Sequence, residues 1–458
     1  MSLSNQSYPL NVAGTKITSR ELGASAYTDN RPARGLLVRI SRTLLFIAIF
    51  VIYTAALPFF ITVSPDLLYG TYVVIGICGV VIISFERRAH RNLLSVAPYL
   101  IWLLIFYCFW GSIVSTSADL PEDEVMKLFT KNLVVLGGFA LAVHDRRDLA
   151  RAARWVIIGA LFGLAICFWE LWDPNVILTL SLGRDPESNA FNLLRPAALW
   201  RNPDEAAFAF VFGFLISRWA GRRLAWIGRL GCLIGIYLTA SRTGVYVLAL
   251  CGLIYLALKL RLRGFFFRCL KTFSLGLAAT AAVVVVLTSS TSLRSIDLSD
   301  QWQISRIVDF AEKRDRDSTA PTRLEIAQRA IELISARPWL GTGVFSFDPD
   351  LGNTGSDIGV HNVFILVWGE TGIPGVVAFL LVLALGIQRS LHPQIQESER
   401  HTMLLMWISY FVIGLTWHNQ FTAFTGMFYA ALLYHLPSVL RRRHDLEPVV
   451  ETRKPVPC

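Results

Sequence analysis

The sequence predicts an all-α integral membrane protein with about twelve transmembrane helices and one large extracytoplasmic loop. Three observations support this prediction. The 458 residues are 54% hydrophobic and only 17% charged, a balance that a soluble chain cannot bury in a single core. The apolar residues come in runs that match the ~30 Å hydrocarbon core of a bilayer. Clusters of Lys and Arg separate these runs.

Each apolar run defines one predicted element. Runs of about 17 to 25 residues are long enough to cross the membrane as a helix. Two runs depart from this pattern, because 204–217 is short and 224–240 carries Arg229. The predicted spans are residues 43–63, 68–85, 93–114, 127–143, 155–172, 204–217, 224–240, 243–258, 272–291, 361–387, 402–418 and 421–440.

The basic residues orient these spans, because loops rich in Lys and Arg stay on the cytoplasmic side. Arginines flank the first span and fill alternate short loops, as in Arg87-Arg88, whereas an acidic loop with Glu122-Asp123-Glu124 lies between two of them. We therefore predict that both termini are cytoplasmic. The tails are residues 1–42 and 441–458, and the polytopic membrane domain is 43–440.

The longest connection, residues 292–360, falls on the extracytoplasmic side, and loops of such length usually carry function. Within it, Pro321 to Ala336 has helical spacing and Pro338 is a stop signal. We expect an amphipathic helix that lies against the outer membrane surface. Its predicted apolar stripe is Leu324, Ala327, Ile331 and Ile334.

The composition also argues against other classes. The net charge of +10 does not indicate nucleic acid, because the basic residues lie between spans and not on one helix or tail with interleaved aromatics. Five of the seven cysteines fall within apolar runs, so no disulfide framework is predicted. The sequence contains no HExxH, no cysteine pair at metal spacing and no outward cluster of His and carboxylates. We therefore expect neither a catalytic metal nor a cofactor.

Two arginines are candidates for binding an anion. Arg242 lies between two apolar runs with almost no loop, at the outer interface, where a charged residue usually has a partner or a function. Arg323 falls in the first turn of the loop helix, where the helix dipole and exposed N–H groups favour a phosphate. The alternatives are snorkelling to lipid headgroups for Arg242 and a solvated side chain for Arg323. Arg195 and Arg201, before the sixth span, are weaker candidates for the same polyanion.

Two histidines face outward in this topology. His361 and His418 are each followed by Asn and lie at the outer mouth of a span. An imidazole in that position is close to water and titrates near neutral pH, so it can act as a base. The alternative for either residue is an interfacial histidine hydrogen-bonded to the backbone.

These residues lie in short motifs that follow one another along the outward-facing segments. The motifs are Ser241-Arg242-Thr243-Gly244, Thr322-Arg323-Leu324-Glu325, Arg337-Pro338-Trp339-Leu340-Gly341-Thr342-Gly343, His361-Asn362-Val363-Phe364 and Glu370-Thr371-Gly372. In their order, spacing and shared topology they resemble the bacterial O-antigen ligase and polymerase superfamily. The resemblance covers residues from about 200 to 390.

The resemblance implies a metal-independent membrane glycosyltransferase, GT-C-like in fold, in the bacterial inner membrane with its active site facing the periplasm. Its donor would be a glycan linked to undecaprenyl pyrophosphate, and its acceptor a sugar hydroxyl. Carried over by position, Arg242 and Arg323 would bind the pyrophosphate and His361 would be the general base. Asn362 and Glu370 are further candidates within the same motifs.

Ligases and polymerases of this superfamily share their chemistry and differ in acceptor, which is lipid A-core for the first and a growing lipid-linked glycan for the second. One dominant outer loop late in the chain favours a ligase, with an O-antigen or exopolysaccharide polymerase as the alternative. A polysaccharide or lipid transporter or flippase is an alternative of another class. Many transporters have related halves with a midplane site, whereas here the loop divides the predicted spans nine and three.

Overall fold

The protein is all helical, with twelve helices and no strand, over the residues that its structure describes. The structure is a computed structural model. It describes residues 31–53, 65–115, 122–172, 196–198, 200, 203–239, 241–259, 319–344, 347, 362–416, 420 and 423–441. The predicted span 272–291 and most of the loop 292–360 lie outside these residues.

The twelve helices follow the apolar runs. They are α1 (Arg31–Tyr53), α2 (Pro65–Phe85), α3 (Arg87–Trp102, continued by a π-helix at Leu103–Trp110 and an α-helical turn at Gly111–Ile113), α4 (Glu122–Ala142), α5 (Arg146–Trp172), α6 (Pro203–Ile216), α7 (Arg222–Leu238), α8 (Arg242–Lys259), α9 (Thr319–Ala336), α10 (Val363–Ser390), α11 (Glu397–Thr416) and α12 (Phe424–Arg441). Every predicted span other than 272–291 overlaps one of them, although residues 54–63 of the first span lie outside the described residues, and α9 is the predicted loop helix. Several helices begin well before the apolar run. Thus α5 starts at Arg146, whereas its run starts at residue 155, because hydropathy detects only the part of a helix that suits the bilayer.

The helices expose the surface of a membrane protein. Four stretches are long and apolar enough to cross a bilayer: Arg88–Ile113, Val125–Ala142, Arg146–Glu170 and Val363–Ser390. Shorter apolar stretches are Val73–Phe85 and Thr243–Lys259. Large apolar side chains on these helices point outward; Val80, Leu94 and Leu253 are 64%, 66% and 66% exposed. Soluble monomers rarely expose contiguous apolar patches of this kind, so the surface supports burial in lipid.

Contacts between loops show which of them lie at the same end of the helix bundle. At one end, Glu86 after α2 binds Arg42 of α1 at 2.6 Å and His144 after α4 at 2.8 Å. At the other end, the backbone N–H of Val344 donates to the carbonyl of Gly111 at the end of α3, at 3.1 Å. Alternate loops therefore share an end, as the charge pattern predicts. We call these the inner and the outer end, after the sides that the arginine-rich loops predict.

An aromatic core holds α10 in the bundle. The Trp102 ring of α3 lies 4.5 Å from that of Phe379 on α10, and the Trp102 Nε1–H donates to the carbonyl of Gly375 at 3.1 Å. On the other side, the buried rings of Trp407 (α11) and Tyr434 (α12) lie 5.3 Å apart and pack against Gly386 of α10. Helix α10 is thus clamped between α3, α11 and α12.

Candidate functional site

Helix α10 is broken near the outer end of the bundle. Gly372 has φ 67° and ψ −170°, a left-handed conformation that only glycine adopts without strain. Two residues later Pro374 has no N–H to donate. The N–H of Ile373 donates to the carbonyl of Pro338, at 3.0 Å, and not to α10 itself. Carbonyl groups of the preceding turn are therefore available to other partners.

The turn that follows α9 uses these carbonyls. We call residues 337–344 the docked turn. The N–H of Thr342 donates to the carbonyl of Gly369 at 2.8 Å, and the N–H of Gly343 donates to the carbonyl of Glu370 at 2.9 Å. The segment after α9 is thus joined by backbone hydrogen bonds to α10 just before its break.

The end of α3 forms the third side of this junction. The Trp110 Nε1–H donates to the carbonyl of Thr371 at 3.1 Å, and the carbonyl of Gly111 accepts from Val344 at 3.1 Å. The broken helix, the docked turn and α3 therefore form one rigid unit at the outer end.

The structure explains why the third motif contains glycine at positions 341 and 343. Gly341 and Gly343 have φ values of 76° and 99°. A Cβ on Gly341 would lie 2.6 Å from the carbonyl group of Glu370, and one on Gly343 would meet the backbone of Ser115. Any larger residue at either position would push the docked turn away from α10 and α3.

Glu370 lies buried in this junction, with 2% of its surface exposed. The side chain of Tyr107, in the π-helix of α3, hydrogen-bonds to its carboxyl group. Intramembrane acids usually have both a partner and a function. Glu370 follows Asn362 by eight residues, or about 12 Å along the helix axis at 1.5 Å per residue. It is therefore placed to support the junction more than to touch a substrate at the mouth of α10.

Asn362 is the N-cap of α10. Its side-chain Oδ1 accepts from the N–H groups of Phe364 at 2.9 Å and Ile365 at 3.1 Å. This gives Asn362 a structural role that typically contributes about 1 kcal/mol. The preceding residue, His361, lies outside the described residues. The same holds for Arg195, Arg201 and His418.

The Ser-Arg-Thr-Gly motif sets the start of α8. The Ser241 Oγ accepts from the N–H of Gly244 at 3.3 Å and donates to Asp204 Oδ1, in the first turn of α6, at 2.7 Å. A Cβ on Gly244 would lie 2.9 Å from the Cβ of Ala207, so glycine lets α8 approach α6. Arg242 is the first residue of α8 and is therefore held at the outer end, although its side chain lies outside what the structure describes.

Helix α9 differs from its prediction in two respects. It begins at Thr319, so Arg323 is its fifth residue and lies in the second turn, where the dipole acts less strongly than in the first. The predicted apolar stripe is confirmed at Ile334, which is buried, but is wrong at Ile331, which is 48% exposed, and the side chains of Leu324 and Ala327 lie outside the described residues. The buried stripe is Ile326, Ala330 and Ile334. These residues pack on protein, and the sequence pattern cannot distinguish that from packing on lipid. The side chain of Arg323 lies outside the described residues.

The buried stripe of α9 joins α10 in a small apolar cluster. We call this the α9–α10 cluster; its members are Ile326, Ala330, Ile334 and Phe347, packed against Ile365, Leu366 and Trp368. Ile326 follows Arg323 by three residues and Ile365 follows His361 by four. The segments that follow these two candidate residues thus pack together.

Glu170 is a buried acid that none of the sequence motifs includes. Its buried carboxylate accepts from the backbone N–H groups of Ala197 and Ala198, both at 2.7 Å. Glu170 thereby anchors the segment between Arg195 and Arg201 to the outer end of α5. An acid inside the apolar run 155–172 was the available signal, because such residues rarely lack a specific partner.

A metal site is not evident in the part of the chain that the structure describes, which holds no group of three or more His, Cys, Asp or Glu that could bind an ion. The expectation of metal-independent chemistry rests on the sequence and stays a prediction.

Comparison with known families agrees with the motifs. Residues 227–380 match the model of the family described as O-antigen ligase. The matched segment runs from α7 to α10 and contains Arg242, Arg323, His361 and Glu370, but not Arg195, Arg201 or His418. No curated protein matches the chain. The resemblance predicted from the motifs is confirmed.

Proposed function

We propose that the chain, whose residues 227–380 match the family described as O-antigen ligase, is a membrane glycosyltransferase that transfers a glycan from undecaprenyl pyrophosphate to a sugar hydroxyl. The reaction takes place at the outer end of the bundle, on the periplasmic face of the bacterial inner membrane. The acceptor is lipid A-core, which makes the protein an O-antigen ligase.

The observation that carries this proposal is the α9–α10 cluster. It holds α9 against the first turns of α10, so that Arg323 and His361 precede two segments that pack together. The docked turn fixes the other end of α9 to the break in α10. Helix α8 begins at Arg242 at the same end of the bundle. These contacts support the proposal that Arg242, Arg323 and His361 act together at the outer end of the bundle.

The chemistry assigns a role to each residue. His361 accepts the proton of the acceptor hydroxyl as that oxygen bonds to the anomeric carbon of the glycan. The bond from this carbon to the pyrophosphate oxygen breaks, and undecaprenyl pyrophosphate leaves with the electron pair. Arg242 and Arg323 stabilise the charge on the leaving group through charge-assisted hydrogen bonds. The activated donor supplies the free energy, and the protein's own residues supply positioning, charge and the base.

One observation favours a ligase over a polymerase. The single dominant outer loop, 292–360, contributes both α9 and the docked turn to the junction with α10, whereas the outer connection 173–202 is shorter. The loop 292–360 is therefore the one large outer loop, late in the chain, that could cover a substrate. A polymerase shares the same pyrophosphate and base chemistry, so the acceptor must be identified by experiment.

The glycans of a deletion strain distinguish the possibilities. A ligase predicts that lipid A-linked polymer is lost while lipid-linked polymer persists at the outer face. Accumulation of single lipid-linked repeats would assign a polymerase instead. Retention of lipid-linked glycan at the cytoplasmic face would point to a flippase and overturn the proposal. Complementation with the wild-type chain and with the Arg242→Ala variant separates loss of activity from polar effects of the deletion.

A further inference from the structure

A cavity of about 980 Å³ opens at the inner end of the bundle, far from the candidate site. Helices α1, α2, α3 and α5 all contribute to its lining. The basic residues Arg39, Arg42, His90 and Arg151 line it together with one carboxylate, that of Glu86. The space is large enough for a charged group with part of a hydrocarbon chain.

Two arginines of the lining are available to a ligand. Arg39 is exposed and has no ion pair within the described part of the chain. Arg151 contacts Asp148 at 3.3 Å, while 61% of its side chain remains exposed. Both guanidinium groups can therefore bind an anion without breaking a buried contact.

Arg42 also lines the cavity and is held there by two carboxylates. Its Nη2 donates to Glu86 Oε2 at 2.6 Å, and its Nη1 lies 3.9 Å from Asp148. Its Nε–H is buried and has no hydrogen-bond partner among the described residues. Buried donors are rarely left without an acceptor. An oxygen-rich anion in the cavity is the kind of acceptor that this group lacks.

The net charge of the groups around the cavity suits a ligand with one negative charge. The three arginines of the lining face two carboxylates, those of Glu86 and Asp148, so these groups sum to +1. A phosphodiester carries one negative charge and offers acceptor oxygens to several guanidinium groups at once.

The rest of the lining combines apolar side chains with the hydroxyl groups of Thr43 and Ser84. Val38, Phe46 and Ile83 line the cavity beside the arginines. Beside the cavity, α1 presents an exposed face of large apolar residues. These residues are Leu36, Leu37, Ile40, Leu44 and Ile47. Acyl chains can lie along this face while a headgroup occupies the cavity.

We propose that the cavity binds the headgroup of an anionic phospholipid, with its phosphodiester between Arg39, Arg42 and Arg151 and its acyl chains along α1. Basic pockets between transmembrane helices on the cytoplasmic side recognise anionic headgroups in this way. The apolar side chains of the lining, Val38, Phe46 and Ile83, favour a lipid over a free phosphate compound. A free phosphate compound would leave these side chains in contact with water. The bound lipid joins α1 to α5 at the inner end and stabilises their packing.

The test uses the full chain, purified in detergent and freed of lipid. Phosphatidylglycerol, phosphatidylcholine and glycerol 3-phosphate are added separately, and binding is followed by native mass spectrometry and by the unfolding temperature. Wild-type protein should retain one phosphatidylglycerol and unfold at a higher temperature with it. Arg39→Ala and Arg151→Ala should each weaken this binding roughly five-fold, as expected for removal of one surface arginine near an anionic lipid. Arg88→Ala is the matched control, since Arg88 is exposed nearby but does not line the cavity.

Three results would overturn the proposal: unchanged binding in a variant that carries both Arg39→Ala and Arg151→Ala, equal binding of phosphatidylcholine, or binding of glycerol 3-phosphate as tight as that of phosphatidylglycerol. The first would remove the arginines from the site, the second would indicate non-specific uptake of lipid, and the third would indicate a free anion. Arg39→Gln alone repeats the test if loss of the Arg151 contact with Asp148 destabilises the fold, because Arg39 takes part in no ion pair of the described chain.

Discussion

Among single residues, Asn362 and its neighbour His361 have separable roles. Asn362 already caps α10 through two hydrogen bonds from the backbone N–H groups of Phe364 and Ile365. The helix start therefore does not need the imidazole of His361 as a cap. This leaves proton transfer, or a contact with substrate, as the role to test for His361.

We predict that His361→Ala lowers glycan transfer by about 10²- to 10⁴-fold, the usual contribution of a general base. His361→Gln should be similarly impaired, because an amide keeps hydrogen bonding but accepts no proton near neutral pH. Transfer is measured with purified lipid-linked donor and acceptor at saturating donor. His418→Ala is the control and should have a mild effect, since His418 lies outside the family match. Near-normal turnover by the Gln variant would make His361 a structural residue.

The anion site is tested with Arg242 and Arg323. Charge-assisted hydrogen bonds contribute about 1.5 to 3 kcal/mol each, so replacement of either arginine by Ala should nearly abolish transfer while the protein remains folded in the membrane. Replacement by Lys should restore only part of the activity, because the planar two-pronged contact with phosphate is lost. Arg329→Ala serves as the control on α9 itself. Wild-type transfer rates in both alanine variants at 242 and 323 would exclude these residues from the site.

Glu86 provides a pH-dependent contribution to stability. Burial alone would raise its pKa, but the hydrogen bond and charge of His144, together with Arg42, outweigh burial and lower the pKa below the ordinary 4.5. A lowered carboxyl pKa stabilises the fold above pH 4.5, and this stabilisation is lost as the pH falls through the folded-state pKa. Glu86→Gln should therefore lower the unfolding temperature by a few degrees at pH 7, and the difference from wild type should shrink in acid.

The measurement for Glu86 is thermal unfolding in detergent between neutral pH and pH 3. Glu332→Gln, on the exposed face of α9, is the control and should match wild type throughout. An equal loss of stability at every pH would show that packing, and not the ionised carboxylate, accounts for the effect.

At the scale of elements, the break in α10 is what connects loop and membrane domain. A continuous helix would satisfy its own carbonyl groups, and the docked turn would have no partners there. Because Gly372 interrupts the helix, the carbonyls of Gly369, Glu370 and Thr371 instead accept hydrogen bonds from the docked turn and from α3. The break at Gly372 thus lets α10 hold, through the docked turn, the segment that carries Arg323.

Replacing Gly372 with Ala should release this attachment. Its left-handed conformation costs a non-glycine residue about 1 to 3 kcal/mol, and the added Cβ would collide with the carbonyl of Trp339. We expect a lower unfolding temperature, faster proteolysis between α9 and α10, and loss of transfer. The matched control is Gly252→Ala in α8, where nothing lies within 4 Å of the added Cβ, so stability should be unchanged or slightly higher. Wild-type protease resistance of the Gly372 variant would contradict the role of the break.

At the scale of the whole molecule, the two ends of the bundle separate two kinds of site. The candidate catalytic residues and the α10 break lie at the outer end, whereas Arg42, Glu86 and the basic cavity lie at the inner end. The contacts establish which loops share an end. The side of the membrane on which each end lies stays a prediction from the arginine-rich loops.

This orientation is tested by labelling single cysteines in a chain whose seven native cysteines are replaced. Ser318→Cys, immediately before α9, should react with an impermeant maleimide in intact spheroplasts. Gln394→Cys, exposed between α10 and α11, should react only after lysis. The reverse pattern would place the loop 292–360 in the cytoplasm and remove the basis of the site assignment.

Hydropathy and charge were sufficient to predict the helices that the structure describes, because a bilayer requires apolar runs of a set length and keeps arginine-rich loops on one side. Short motifs were likewise sufficient to indicate the family whose model matches residues 227–380. These are local properties, determined by residues near one another in the chain. The side chains of Arg242 and Arg323, and His361 as a whole, lie outside the described residues, so their roles stay predictions.

Only the tertiary structure decided which groups meet. The sequence predicted one uninterrupted span over residues 361–387, and neither the break at Gly372 nor the hydrogen bond from Trp110 to Thr371, 261 residues later in the chain, could be read from it. Nor does it show that Glu170 binds the backbone at Ala197, or that α9 buries Ile326 and not Ile331. Such hydrogen bonds and faces depend on how distant segments pack, and a buried polar group takes whichever partner that packing brings within reach.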